Sequence, residues 1–528
     1  MELIRGLLSR RRAMQGMGAV IGATAAGCNN DDTVGADGTG SSESSSSSGS
    51  PTTTITPTTS TTSDVTSSTS NADTSTSESS SGDDESESST GEPVEECMGD
   101  GGLTPAELLA DIDTVIVVVM ENRSFDHYFG SSTFLESWQV EGLVGDESNL
   151  DLEGNTITVF AMDNLEITDP PHDWDPVHLS WNNGKMDGFV IQHELQSAAT
   201  HEEVMGYYVR DQLPISYALA EGFTLCDHWH CAVLGPTWPN RFYIHAASSG
   251  SQQGNFPVPS LVTIWDQLAE AGIDARNYYS DVPWVWGAFA NPFISYTDGL
   301  DEFFAAADAG SLPPFAVIDP NFGLLGGGGQ NDDHPNANVT MGQILLASIY
   351  EALAQSPQWY SCLLIITYDE HGGFYDHVNP PETVDDDPEF AQLGIRVPTI
   401  VAGPHVRRGC VNSTLLEHVS IISTLTVKHG LTPLNDRVTA TADVSSCINP
   451  AYIGDPQPPI KLPMIEAPLG ELLTSRDDPT VHSEMREMIA DGRLPIPAHR
   501  RHPDAGRDVA MELIRHAQRL GVLKLTDG

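Results

Sequence analysis

Thr114-Val-Ile-Val-Val-Val119 is a continuous run in which every residue is β-branched. Such side chains are stiff at χ1 and pack well on a pleated surface, so the run favours strand over helix. No polar residue alternates with the apolar ones, so both faces of that strand need cover, as in a parallel sheet. The pattern recurs. Phe315 to Ile318, Leu363 to Thr367 and Val397 to Val401 are short apolar runs, and Ala275 to Ser280 reads as extended after Gly272. Leu261, Ile264, Trp265 and Leu268 recur at helical spacing, as do Met341, Ile344, Leu345, Ser348 and Ile349. Strands alternating with helices predict an α/β fold with a mostly parallel central sheet and helices on both faces.

The first hundred residues have a different character. Ser9-Arg10-Arg11-Arg12 is followed by the small, uncharged stretch from Ala13 to Gly27 and then by Ala25-Ala26-Gly27-Cys28. A basic start, a short apolar stretch and small residues before a cysteine resemble a bacterial export signal, with a twin-arginine pair and a lipoprotein-type cleavage box at Cys28. Residues 41–90 then contain 34 Ser or Thr, and no Lys or Arg occurs between Ala13 and Asn122. Such a segment buries too little apolar surface to offset its chain entropy. It is expected to be a disordered, acidic linker whose roughly 70 residues reach about 45 Å. An exported protein, lipid-anchored at a membrane surface through Cys28, is the corresponding expectation for localisation.

Acidity is not confined to the linker. The chain has 24 Lys+Arg against 74 Asp+Glu, a formal net charge of −50. Nucleic-acid binding needs a basic face, so no nucleic-acid partner is expected; cations are the favoured partners. No apolar stretch reaches the roughly 20 residues that span a bilayer, which excludes a polytopic membrane protein. Beyond Cys28, six cysteines remain: Cys97, Cys226, Cys231, Cys362, Cys410 and Cys447. An even number suits disulfides in an exported chain, with a local Cys226–Cys231 pair among the options and buried free thiols as the alternative. No CxxC pair supports a zinc cluster.

Polar residues that break the apolar runs fall just after strands, where ligands bind in open α/β sheets. Glu121-Asn122-Arg123-Ser124-Phe125-Asp126 follows the first strand, Asn331-Asp332-Asp333-His334-Pro335 follows the Phe315 strand, and Asp369-Glu370-His371-Gly372-Gly373 follows the Leu363 strand. Gly235-Pro236-Thr237-Trp238-Pro239-Asn240-Arg241 lies near Cys226. Any one of these is ordinary loop; four together are a convergent set of oxygen and imidazole groups.

With "MENRSFDHYFG", "PPHDW", "CDHWH", "GPTWPNR", "NDDHP", "ITYDEHGGFYDHV" and "VPTIVAGP" in that order between about Asp113 and Val406, the chain resembles the bacterial phosphoesterase family of phosphatidylcholine-type phospholipases C and related acid phosphatases, in the alkaline-phosphatase-like superfamily. The resemblance implies phosphoester hydrolysis by a hydroxyl nucleophile beside one divalent metal ion, with Ca, Mg, Mn and Zn all open. Thr237 matches the nucleophile position and implies a phospho-threonine intermediate. A bare threonine hydroxyl is almost wholly protonated at neutral pH and needs such activation. Glu121, Asn122, Asp369 and Glu370 match the metal-ligand positions, with Thr237 facing the same ion; carboxylates and an amide make a hard oxygen site. His172 and His334 are expected to contact phosphate or donate a proton. His371 is expected to orient its neighbours, and Asn240 to donate to a phosphoryl oxygen. His127, His228, His245 and His377 have no role in this reading.

The chain thus divides into 1–28, an export signal; 29–100, the linker; 101–458, a phosphoesterase domain; and 459–528, a C-terminal extension with a helix over Val509 to Leu520 and no function assigned. No room is left for a long β-rich C-terminal extension, so membrane docking through one is not implied. Trp138, Trp181, Trp229, Trp238, Trp284 and Trp286 could line an apolar or choline-binding wall, or pack in the core. The leading expectation is a phospholipase C-like phosphoester hydrolase, with phospholipid or a small phosphoester as substrate. The alternatives are a broad acid phosphatase on small phosphomonoesters and a tethered binding protein on an inactivated scaffold.

Overall fold

The β-branched run of Thr114–Met120 (β1) lies in the middle of an eight-stranded sheet, buried along its whole length. The computed structural model describes residue 97 and residues 99–256, 259–289, 296–474 and 480–527. The export signal and most of the linker, residues 1–96, lie outside the described residues. The other strands are β2 (Thr224–Cys226), β3 (Ala275–Tyr279), β4 (Thr297–Gly299), β5 (Phe315–Asp319), β6 (Cys362–Tyr368), β7 (Thr399–Ala402) and β8 (Cys410–Asn412). Their order across the sheet is β8-β2-β7-β6-β1-β5-β3-β4. Val117 sits level with Val317 on β5 and Ile365 on β6, both parallel neighbours. Each such side chain removed from water contributes about 1.5–3 kcal/mol, which sets the register firmly.

The apolar run at Val397 to Val401 does form a strand, but in the opposite sense. β7 is antiparallel to both β6 and β2, and β8 returns parallel to β2. All strands but β7 therefore share one direction, and the sheet is mostly parallel as expected. The reversal follows from the route of the chain. The segment 369–398 stays at the carboxyl end of β6 without a long crossover helix, so β7 enters the sheet from that end.

Seven helices that bear on the argument are α1 (Thr237–Ala246), α2 (Ile264–Glu270), α3 (Leu300–Ala309), α4 (Val339–Gln355), α5 (Val419–His429), α6 (Ser483–Ala490) and α7 (Ala505–Leu520). α4 packs on α3 and α7, while α1 packs on α2 and α5. Every residue of β1, β5 and β6 is buried, so both faces of the sheet are covered. The residues after 458 are built into this core: Leu472, Met485, Leu513, Ile514 and Ala517 belong to the main apolar cluster, and Ile465–Pro468 pairs with Leu523–Thr526. Among the described residues, no helix is long and apolar enough to cross a membrane.

Two alternatives that the sequence left open are decided here. The local Cys226–Cys231 bridge is absent. Cys97 is bonded instead to Cys410, across 313 residues, and Cys226, Cys231, Cys362 and Cys447 are buried free thiols. Cys231 turns its Sγ to the Val233 carbonyl, while Cys226 faces Cys447 at 3.8 Å. Nor do the tryptophans form one binding wall. Trp229, Trp238 and Trp284 are buried core residues; Trp238 and Trp284 pack edge to face with each other and with Phe242.

The Cys97–Cys410 bond ties the start of the folded unit to edge strand β8. Cys410→Ser is expected to lower unfolding free energy by about 2–5 kcal/mol, measured by denaturant titration; an unchanged midpoint would show that the bond carries no stability. His245, buried on α1, accepts a hydrogen bond from Trp265 Nε1 at 3.1 Å. Burial first, and the Arg241 charge second, push it down to about 3 from an ordinary 6.5. Folded His245 therefore refuses a proton that the unfolded chain accepts, and stability present above pH 6.5 is lost as pH falls. In His245→Asn, whose Oδ1 can keep the Trp265 bond, Tm is expected to fall less steeply below pH 6.5 than in the wild type; parallel curves would overturn this.

Candidate active site

Because β1, β5 and β6 run parallel, their carboxyl ends open on the same edge of the sheet, and the loops that leave them meet there. β1 delivers Glu121 and Asn122, β5 ends at Asp319 and leads to Asp332 and His334, and β6 delivers Asp369 and Glu370. Backbone bonds lock the loops together: Glu121 N donates to the Asp332 carbonyl at 2.7 Å, and Asp369 N donates to the Met120 carbonyl at 3.0 Å. Asp369 Oδ1 accepts from the Asn122 and Glu370 amides at 3.0 and 2.8 Å.

Thr237 comes from the facing helix. Pro236 is the extended N-cap of α1 and Thr237 its first helical residue, with a side chain that caps nothing. Instead its hydroxyl donates to Glu121 Oε2 at 3.4 Å. The positive end of a helix dipole lies at this point, which favours an anion. Four residues on, and so on the same face of α1, Arg241 reaches the cluster. It contacts Glu121 Oε1 at 2.5 Å, Asp319 Oδ1 at 3.1 Å and Asp369 Oδ2 at 3.6 Å. Sequence reasoning quoted Arg241 without giving it a role, although its helical spacing from Thr237 was a usable signal.

One guanidinium does not balance this many acids. Burial pushes Glu121 well above the usual carboxylate range; Arg241 offsets part of the rise, and Asp369 and Asp332 add to it. Burial, opposed by Arg241 and helped by Glu370, raises Asp369 to about 6. Three oxygens of the cluster, Asn122 Oδ1, Asp369 Oδ2 and Glu370 Oε1, are buried and accept no hydrogen bond. Lone pairs left bare in a dry, acidic pocket are costly unless something cationic takes them. The three bare oxygens of Asn122, Asp369 and Glu370 suit a hard divalent ion, whereas both oxygens of Glu121 already meet Arg241 and Thr237.

The histidines form the rim. His172 Nδ1 is bonded to the Pro170 carbonyl at 2.8 Å, and its Nε2 lies 3.4 Å from Asn122 Nδ2 and 3.9 Å from Glu370 Oε1. Burial opposes its charge, but Asp169, Glu370 and Asp173 outweigh that and raise it to about 9. His334, 5.9 Å away between ring centres, is bonded through Nδ1 to the Pro335 carbonyl. Burial pushes it down to about 4. Donor atoms of Asp169, His172 and His334 lie within 4.8 Å of one another, a second place where a metal ion could be held. His371 Nδ1 lies 3.0 Å from Glu370 Oε2. Another group with metal-like spacing, Asp126, Asp376 and His377, already holds a cation, since Arg396 pairs with both carboxylates at 3.0 Å.

Asn240 departs from its expected role. Its Nδ2 hydrogens go to the Gly235 and Pro236 carbonyls at 2.9 and 3.1 Å, and its Oδ1 accepts from Val233 N. No donor is left for a phosphoryl oxygen, so Asn240 shapes the turn that presents Thr237. Missed altogether were His418, whose Nε2 meets the Asp369 carbonyl at 2.6 Å, and His482, which pairs with Asp332 at 2.9 Å. Neither stands in a spacing that signals a site.

The profile of the Phosphoesterase family matches residues 112–432, more than half of the chain and the stretch that carries every residue of the expected metal and nucleophile set. The chain belongs to this family. Non-specific phospholipase C1 of Arabidopsis thaliana is 34% identical over 343 residues, covering 58% of this chain and 63% of its own length. Non-specific phospholipase C6 of the same plant is 33% identical, covering 60% and 67%. Phospholipase C A of Mycobacterium tuberculosis (strain ATCC 25618 / H37Rv) is 29% identical over 410 residues, covering 64% and 76%. The alignment thus spans just under two thirds of the first of these relatives. The solved phosphonate monoester hydrolase of Agrobacterium radiobacter overlaps 63% of this chain and 77% of its own at 11% identity, with a TM-score of 0.32.

Two glycines let the loops close. Gly372 has φ +66°, and a Cβ there would stand 2.2 Å from the Asn122 carbonyl oxygen; Gly373, φ +74°, would meet Pro170 and Pro171. Gly372→Ala is therefore expected to cost about 1–3 kcal/mol of stability and to displace Asn122, weakening Ca²⁺ or Mn²⁺ binding by calorimetry. Wild-type affinity in that variant would show that the close approach does not shape the site.

Proposed function

We propose that this protein is an exported phosphoester hydrolase of the phospholipase C type, with Thr237 as nucleophile and one divalent cation as cofactor. The observation that carries the reading is the Thr237 hydroxyl, at the amino end of a helix and hydrogen-bonded to Glu121, beside a cluster of buried oxygens that lack donors. The names of the relatives support phospholipid as the substrate class, and the family supports phosphoester hydrolysis. Assignment to the alkaline-phosphatase-like superfamily belongs to the same reading.

A divalent ion held by Asn122, Asp369 and Glu370, beside Glu121, would supply the positive charge that favours the threonine alkoxide and the phosphoryl oxygens. The chain's own groups do the rest. Thr237 Oγ1 passes its proton to Glu121 Oε2, its hydrogen-bond acceptor, and forms a bond to phosphorus, as the bond from phosphorus to the alcohol oxygen breaks. His172, held through Nδ1 by Pro170, has Nε2 at the pocket and donates a proton to the departing alkoxide. Water then attacks the phospho-threonine, releasing the phosphorylated headgroup and restoring the hydroxyl. Arg241 keeps Glu121 and Asp369 in place throughout. Burial keeps His334 neutral and resistant to protonation, so it is no proton donor here; with Nδ1 on the Pro335 carbonyl, its Nε2 is left as a hydrogen-bond acceptor.

The Cys97–Cys410 bond supports export, because disulfides persist in oxidising compartments. Lipidation at Cys28 would hold the enzyme at a membrane, where phospholipid is concentrated.

Thr237→Ala is expected to lower kcat on phosphatidylcholine by roughly a thousandfold or more with Tm retained, and a chelator should abolish wild-type turnover until a divalent ion is returned. Full activity of Thr237→Ala would sink the nucleophile assignment. Faster turnover of a soluble aryl phosphomonoester than of phosphatidylcholine would favour the acid phosphatase alternative.

A further inference from the structure

Every residue given a chemical role above lies within 112–432, the stretch that matches the family. One imidazole of the site does not. His482 stands immediately before α6 with φ +51°, a left-handed conformation uncommon for a residue with a Cβ. That backbone turns the side chain inward. Its Nε2 donates to Asp332 Oδ2 at 2.9 Å, and its ring lies 4.9 Å from that of His334.

Asp332 is a junction. Its carbonyl takes the Glu121 amide at 2.7 Å, its Oδ1 takes the His334 amide at 3.1 Å, and Gln330 Nε2 spans both carboxylate oxygens at 2.9 Å. The carboxylate is fully buried beside Glu121. Holding it still, and drawing its charge away from Glu121, fixes the acceptor of the Thr237 hydroxyl and a rim histidine at once. The same helix reaches the opposite wall. Glu484 Oε1 accepts from Asn255 Nδ2 at 3.0 Å, and Asn255 Oδ1 accepts from Trp238 N at 3.1 Å, one residue from the Thr237 hydroxyl. Met485 and Met488 anchor α6 in the apolar core.

We infer that His482 is a positioning residue of this active site, through which the C-terminal segment holds Asp332 and thereby sets Glu121 and His334. The inference rests on the phosphoesterase reading of the site, and the test separates the two. His482→Gly removes the imidazole while relieving the left-handed backbone, so the full-length variant should stay folded at the assay temperature, with Tm lowered by the bond lost to buried Asp332. Its kcat on a soluble aryl phosphodiester is expected to fall roughly tenfold or more, the loss expected when a hydrogen bond to a buried charge is removed, with KM changed by less than about threefold. His482→Gln, which restores a donor at about the reach of Nε2, should recover most of kcat. A residue serving stability alone would lose activity only in step with Tm. Wild-type kcat in His482→Gly, or equal impairment of the Gly and Gln variants while both are folded at the assay temperature, overturns the inference. Should the wild type hydrolyse no phosphoester, the functional reading fails. The inference is then judged by inorganic phosphate affinity, expected to weaken in His482→Gly and overturned if unchanged.

Discussion

The buried guanidinium of Arg241 is the contact on which the site depends. Three loops and a helix bring Glu121, Asp319, Asp369 and Asp332 into a region closed to water, where like charges repel with little screening. Arg241 touches the first three of these acids. Removing one partner from such a buried network typically costs about 3–5 kcal/mol, because the remaining charges are left uncompensated. Arg241 also sits one turn beyond Thr237, so a single rigid helix presents both the hydroxyl and the charge that keeps its acceptor in place. The negative charge that Arg241 leaves over is the physical reason a divalent cation suits the pocket.

The backbone makes the same point. Asn122 lies at φ +58° directly after a strand, in the left-handed region that asparagine tolerates better than most residues. Its carbonyl is approached so closely by Gly372 that no side chain fits between them. Strain and tight packing gather where two loops of the candidate site cross, above the strands that deliver them. Rigid parallel strands fix the loop ends to within a fraction of a residue, and the loops spend local strain on aiming side chains.

Much of this was legible in the chain. Apolar β-branched runs marked β1, β5 and β6, and polar clusters just past them marked the site edge, because a parallel sheet puts carboxyl ends together. Elements with a clear period, such as α4, were also readable. The direction of β7 was not, since an apolar run carries no arrow and the route of the intervening loop decides it. Cysteine pairing was unreadable for a similar reason: Cys97 and Cys410 are brought together by the edge of the sheet, not by spacing. Asn240 looked like a phosphate donor from its neighbours, yet carbonyls of its own turn consume its hydrogens.

The sequence by itself determined the α/β class, the acidic character, and which oxygens and imidazoles were available for chemistry, because these depend on composition and local periodicity. Only the tertiary structure decided which of them meet. His418 and His482 enter the site through packing, 49 and 150 residues from the groups they meet, and His482 arrives from a segment with no chemical pattern of its own. Proximity of that kind is fixed by the burial of apolar surface elsewhere, in the sheet and helices, and no local rule encodes where that burial will carry a distant side chain.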